Sequence, residues 1–150
     1  MKIALISCTK QKSDYKCPAR ELYSESAWFR EAYCYAKIVA DKIFILSALH
    51  HLLDLETEIE PYNVTLSSIP KSKRKEGIIV LSSAEKIEWG KKVVKMLSEQ
   101  TDLQDDQFII LAGQEYIKPI KPYIKKIDDR LHGLRQGERV KYLKANLRER

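Results

Sequence analysis

Three short apolar runs limit what this chain can become. Residues 2–7 (KIALIS), 42–47 (KIFILS) and 108–113 (FIILAG) are rich in isoleucine and leucine and are bounded by polar or turn-forming residues. A run of this length with no polar face is a strand covered on both sides, as in a parallel sheet. Helical patterning lies between the runs. Ser24 or Ser26 can cap a helix reaching about Ala40, with Trp28, Ala32, Tyr35, Ala36 and Val39 as its buried stripe. Ser82 or Ser83 can cap a second helix to about Gln100, with Ile87, Val93, Val94 and Leu97 on its apolar face. Residues 78–81 read as a short strand, and a last helix is expected around 138–147. Strands alternating with helices predict an α/β fold, a three-layer sandwich on a mainly parallel central sheet, Rossmann-like in architecture.

The chain has 150 residues, enough for one domain with its own core. Hydrophobic residues at 44% and charged residues at 32% exclude a disordered, collagen-like or coiled-coil chain. No apolar run approaches the roughly 18 residues of a membrane span, and residues 3–7 are too short for a leader core, so no membrane partner and a cytoplasmic location are expected. Three cysteines, Cys8, Cys17 and Cys34, argue against a disulfide framework, and their spacing matches no zinc pattern. No metal and no cofactor are expected. The formal charge of +6 is compatible with a nucleic-acid or phosphate partner and does not require one.

In parallel sheets ligands bind beyond the carboxyl ends of the strands. Three segments should therefore meet: Ser7 with Cys8, Thr9, Lys10 and Lys12; Ala48 with Leu49, His50 and His51; and Gly113 with Glu115 and Tyr116. The first offers hydroxyls and ammonium groups to an anion but lacks the glycines of a P-loop. Cys8 can be a nucleophile if a cation lowers its pKa, or simply a small buried residue. His50 can serve as a general base or hold a structural position. Gly113 admits a ligand to the backbone, and Glu115 can activate water or face solvent on a first helical turn. The acidic residues Asp54, Glu56, Glu58 and Glu60 alternate with apolar ones and read as a solvated edge. Tyr62 and Asn63 follow Pro61, a ring and an amide suited to stacking on a base and hydrogen-bonding its edge. Lys73 and Arg74 belong to one basic cluster, Lys118 to Lys126 to a second, and Arg135 and Arg139 to a third. On one shared surface these would attract a phosphate backbone.

Read in order, Cys8-Thr9-x-x-Lys12, then Cys17-Pro18-Ala19-Arg20-Glu21-Leu22-Tyr23, Ile45-Leu46-Ser47-Ala48, Leu52-Leu53, Pro61-Tyr62 and Leu66 resemble a small family labelled YaaA-like. Ala112-Gly113, Tyr116 and Leu131-x-Gly133-Leu134-x-x-Gly137 continue the resemblance over nearly the whole chain. It brings Arg20, Tyr23 and Ser47 into the expected substrate-binding set. The peroxide-stress YaaA family is a more distant likeness and implies DNA binding and a role against oxidative DNA damage. The opening strand is also similar to a domain of archaeosine synthases, whose core is like the uracil-DNA glycosylase fold. The chain departs from the pattern at His51, where relatives tend to have glycine.

These readings lead to a nucleic-acid-directed protein, DNA before RNA, with a base or nucleotide pocket at the strand ends. Its sharper form is an N-glycosidic-bond hydrolase using Glu115, His50 and Asn63. The alternatives are a non-catalytic DNA-binding stress protein and an enzyme acting on a free nucleotide. The oligomeric state is left open.

Overall fold

The computed structural model describes residues 1–7, 15–23, 26–60, 62, 64–65, 79–129, 138–139 and 141–143. Of the expected site residues, Cys8, Thr9, Lys10, Lys12, Asn63, Lys73, Arg74 and Arg135 lie outside these.

The first apolar run forms β1 (Lys2–Ser7), buried along Ile3 to Ser7. Cys17–Pro18 make a two-residue strand, β2, leading into one helical turn, α1 (Ala19–Leu22). Ser26 caps α2 (Ala27–Val39) by accepting a hydrogen bond from the Phe29 amide, at 3.3 Å. Trp28, Ala32, Tyr35 and Ala36 are buried as the spacing predicts, Phe29 joins them, and Val39 is only half-buried. The second apolar run forms β3 (Lys42–Ser47).

A short hairpin then returns the chain as β4 (His51–Asp54), antiparallel to β3 with Ser47 opposite His51. His51 has φ 68°, in the left-handed region that favours glycine. A hairpin whose turn ends in such a residue normally places glycine there. The departure from the family-like pattern at this position is therefore a backbone matter: a turn built for glycine carries histidine.

Glu58–Ile59 form β5, paired with β2, and the acids from Asp54 to Glu60 face outward while Ile59 is buried. Val64–Thr65 (β6) and Ile79–Val80 (β7) make a small parallel pair. Ser82 caps α3 (Ser83–Ser98) through a reciprocal box with Glu85. The buried face of α3 is Trp89, Gly90, Val93 and Leu97. Ile87, expected on that face, is 57% exposed, because the helical register is set by the large Trp89 indole two positions on. The third run forms β8 (Gln107–Leu111), followed by one helical turn, α4 (Gln114–Ile117), a 3-10 turn at Lys121–Tyr123, and β9 (Lys126–Asp128), a strand the sequence pattern did not signal. Residues 138–139 and 141–143 are helical, within the span expected for the last helix.

The central sheet runs β4-β3-β1-β8-β9. β3, β1, β8 and β9 are parallel, and β4 alone is antiparallel. The fold is thus α/β with a mainly parallel five-stranded sheet, a three-layer sandwich. From β1 the chain moves sideways to β3, then back across β1 to β8, and onward to β9. Right-handed crossovers place connections of opposite direction on opposite faces. α2 therefore covers one face, and α3 and α4 share the other. Each large aliphatic side chain buried between these layers stabilises the fold by about 1.5–3 kcal/mol.

α3 and the α4 region meet closely. The Trp89 and Tyr116 rings lie edge to face, 5.9 Å apart. A Cβ on Gly90 would fall 2.5 Å from the Pro119 carbonyl oxygen and 2.6 Å from the Pro119 Cβ. Glycine is thus required here by space rather than by backbone angle. In an open helix Gly→Ala gains about 1 kcal/mol. Gly90→Ala is expected instead to cost about 1–3 kcal/mol through overpacking against rigid backbone, read by urea denaturation. A gain in stability would show that the helix is not held against Pro119. At the hairpin the reverse holds: His51→Gly should raise stability by about 0.5–1 kcal/mol and His51→Val should lower it, because a left-handed residue with a Cβ costs about 1–2 kcal/mol.

Candidate functional site

The connections leaving β1 and β8 diverge, one towards β3 and the other towards β9, which makes the carboxyl end between these two strands the switch point at which such sheets bind ligands. Register fixes what surrounds it. Ser7 stands beside Leu46, and Ile6 beside Leu111, so Ser7, Ser47 and Ala112-Gly113 are neighbours on one edge, with adjacent strands about 4.8 Å apart. Among the described residues, the strand ends expected to converge, at Ser7, Ser47 and Gly113, do finish on one edge.

Ser47 is the hub of the β3 side. It is fully buried, and its hydroxyl donates to the Tyr62 hydroxyl at 2.7 Å while accepting from the His50 amide at 3.0 Å. The Trp89 indole N–H donates to its carbonyl at 2.9 Å, which ties α3 to the strand end. The hydroxyls of Tyr62 and Tyr23 share a hydrogen bond of 2.5 Å. Tyr23 itself is buried at the end of α1, whose position is fixed by the Ala19 and Arg20 amides donating to the carbonyls of Thr57 and Leu55. His50 presents its ring to the edge of Tyr62, centroids 5.3 Å apart at 86°. Tyr62 is half-buried, so the cluster reaches the surface through it and through His50.

On the β8 side Gly113 has an ordinary φ of −68°, and a Cβ there would meet nothing within 4 Å among the described residues. Neither backbone angle nor crowding demands glycine. Arg139, half-buried, donates to the Ala112 carbonyl at 3.2 Å and brings its charge to the same place. Glu115 accepts from the Lys86 ammonium at 2.9 Å, a pair linking α4 to α3. Tyr116 is buried against Trp89 and shapes the wall rather than presenting a face. Tyr116, Trp89, Ser47 and Tyr62 thus form one connected path across the edge.

Arg20 stands apart from the crevice cluster. Its guanidinium bonds Glu56 at 2.7 Å and Glu21 at 3.1 Å on the surface. The basic clusters also divide. Lys126 starts β9 at the opposite end of the sheet, donating to the Asp105 carbonyl, whereas Arg139 is at the carboxyl end. Among the described residues no three or more His, Cys, Asp or Glu side chains could jointly hold a metal ion, and no helix is long and apolar enough to cross a membrane. Cys17 is buried and Cys34 is exposed.

Two residues of this edge escaped the sequence reading, Trp89 and Lys86. They are three apart on the inner face of α3, and the signal available was a lysine in register with the buried Trp89, Val93 and Leu97.

Residues 3–145 match the model of a family described as of unknown function, DUF6884. The chain belongs to this family. No curated protein and no solved structure matches it. For this DUF6884 member the strand-end geometry therefore has to carry the functional argument.

Burial pushes the His50 imidazole below its ordinary 6.5, and burial followed by the nearby Lys92 charge does the same to His51. Both rings therefore stay neutral in the folded protein down to a lower pH than in the unfolded chain. Their contribution to stability is complete above about pH 6.5 and is lost as pH falls through the lowered folded values. Melting temperature should therefore drop as pH falls below about 6.5. His50→Gln with His51→Gln should flatten the profile, and an unchanged slope in that variant would exclude the pair as its source. The carboxylates held below their ordinary range, Glu85, Asp102 and Asp106, take protons at lower pH and do not interfere.

Proposed function

We propose that the carboxyl edge of the sheet is a nucleobase or nucleotide site, and that the protein is a cytoplasmic one directed at nucleic acid. The observation that carries this reading is the pairing of two features at the ends of β3 and β8, the strands that flank β1. One is the Tyr62, Ser47 and His50 cluster, with an aromatic face and polar atoms. The other is Gly113, where a Cβ would meet no described atom within 4 Å, beside Arg139. A base needs a ring to stack on and a few fixed hydrogen-bonding groups, and a phosphate needs a cation. The resemblance to the YaaA-like family, to peroxide-stress YaaA and to the archaeosine synthase domain supports nucleic acid, DNA before RNA, as the partner.

In its sharper form the protein hydrolyses an N-glycosidic bond. Glu115 or His50 orients a water and takes its proton, the oxygen bonds to the sugar C1′, and the base departs with the bonding electrons and is protonated. Tyr62 stacks on the base, Asn63 hydrogen-bonds it, and Lys10 and Lys12 hold phosphate. A second reading, binding without chemistry, draws on the Lys86–Glu115 pair, which gives that carboxylate a structural partner.

The test is base release from modified and damaged DNA, RNA and free nucleosides, alongside binding. Hydrolysis predicts release that falls by about 10²-fold or more in Glu115→Gln or His50→Gln, the usual size of a lost acid–base group. Binding without chemistry predicts no release and an affinity indifferent to Glu115→Gln. In either case Tyr62→Ala should weaken binding by about 1–3 kcal/mol. Neither release nor binding across the panel would overturn the site.

A further inference from the structure

A groove of about 880 Å³ opens on the far side of the turn that carries Ser47 and His50, between that hairpin, β7 and the outer face of α3. Its floor is apolar: Leu49, Ile79, Leu81 and Ala84, with Trp89 behind. Leu49 and Ile79 are 45% and 57% exposed, an unusual concentration of open aliphatic surface.

Its rim carries charge of one net sign. Glu85 is occupied as the cap of α3, accepting from the Ser82 amide, and Glu88 is near Lys91 at 3.5 Å. Lys92 and Lys95 are exposed and have no ion-pair partner among the described residues. Lys91 and Lys95 are one helical turn apart, about 6 Å along the axis. An apolar trough edged by uncompensated ammonium groups fits an extended chain with flat apolar faces and a row of negative charges.

We infer that this groove is the track of a single polynucleotide strand flanking the base held at the strand ends. The inference rests on the nucleobase reading above and names its substrate class, a polymer rather than a free nucleotide. The groove and the base site share a wall, the 48–51 turn, so a strand with one base at His50 and Tyr62 has its neighbours over Leu49 and Ile79. Bases would lie on the aliphatic floor, and phosphates along Lys92 and Lys95. An acidic peptide would satisfy the charges, but nothing would make it start at the turn that bears the site.

The experiment compares wild type with Lys92→Gln/Lys95→Gln, two exposed positions whose loss should leave the melting temperature unchanged. The probes are a mixed-sequence single-stranded DNA octamer and each of the four nucleoside 5′-monophosphates. The octamer should bind wild type more tightly than any monophosphate. The double variant should lose roughly tenfold in octamer affinity, and its slope of log affinity against log salt should fall by about 1.4, two phosphates at about 0.7 each. Monophosphate affinity should not change. An octamer that binds both proteins equally overturns the track, while bound monophosphates would keep the base site. Failure of all monophosphates with lysine-dependent octamer binding would do the opposite. If a polyglutamate peptide binds as tightly as the octamer, with the same dependence on the two lysines, the groove is a protein-docking surface and the proposal falls.

Discussion

The pairing of β1 on both edges governs everything else in the molecule. A strand buried from Ile3 to Ser7 and bonded in parallel to β3 and β8 has no freedom of register, since a one-residue slip would misplace every side chain against two layers of helix. Parallel pairing also fixes direction. It requires Ser7, Ser47 and Gly113 to finish on one side, and it requires the crossovers to diverge there. The crevice is thus a by-product of the core: the same hydrophobic burial that stabilises the sheet sets polar residues around an opening.

α3 converts that edge into a defined shape. Its indole holds the Ser47 carbonyl, its glycine lets the Pro119 backbone approach, and its Lys86 holds Glu115. Three contacts of different kinds, one hydrogen bond, one steric fit and one ion pair, join β3 to α4 across the intervening strand. The ion pair is half-exposed and contributes little to stability by itself. Its effect is positional, fixing where a carboxylate stands at the carboxyl edge.

What could be read from the sequence follows the strength of local patterns. The three apolar runs became β1, β3 and β8 because four or five consecutive apolar residues between polar boundaries have few alternatives. The serine caps at Ser26 and Ser82 were legible because capping is local chemistry. β4 was not, since the hairpin cue is a glycine and His51 stands in its place. β9 was not, since three residues with one isoleucine carry no period. The face of α3 was misassigned at Ile87 because aliphatic residues occur on both sides of that helix, and only packing decides between them. Within the site, His50 and Gly113 could be placed on one edge by the strand-end rule, whereas Tyr62 was singled out by its ring and its neighbours and Ser47 by the family resemblance. The Tyr23 contact depends on how α1 docks against residues 55–57, and the Lys86–Glu115 pair joins residues 29 apart, distances at which no pattern in the chain speaks.

The close fit at Gly90 has a mechanical consequence. With a backbone carbonyl where a methyl would otherwise sit, α3 and the 114–119 segment cannot slide past one another without losing their interlock, so they behave as a single rigid wall. Whatever accommodation a guest requires must come from the opposite bank, where a strained histidine already stores conformational energy in a turn shaped for a smaller residue. One bank of the crevice is an anvil and the other a spring.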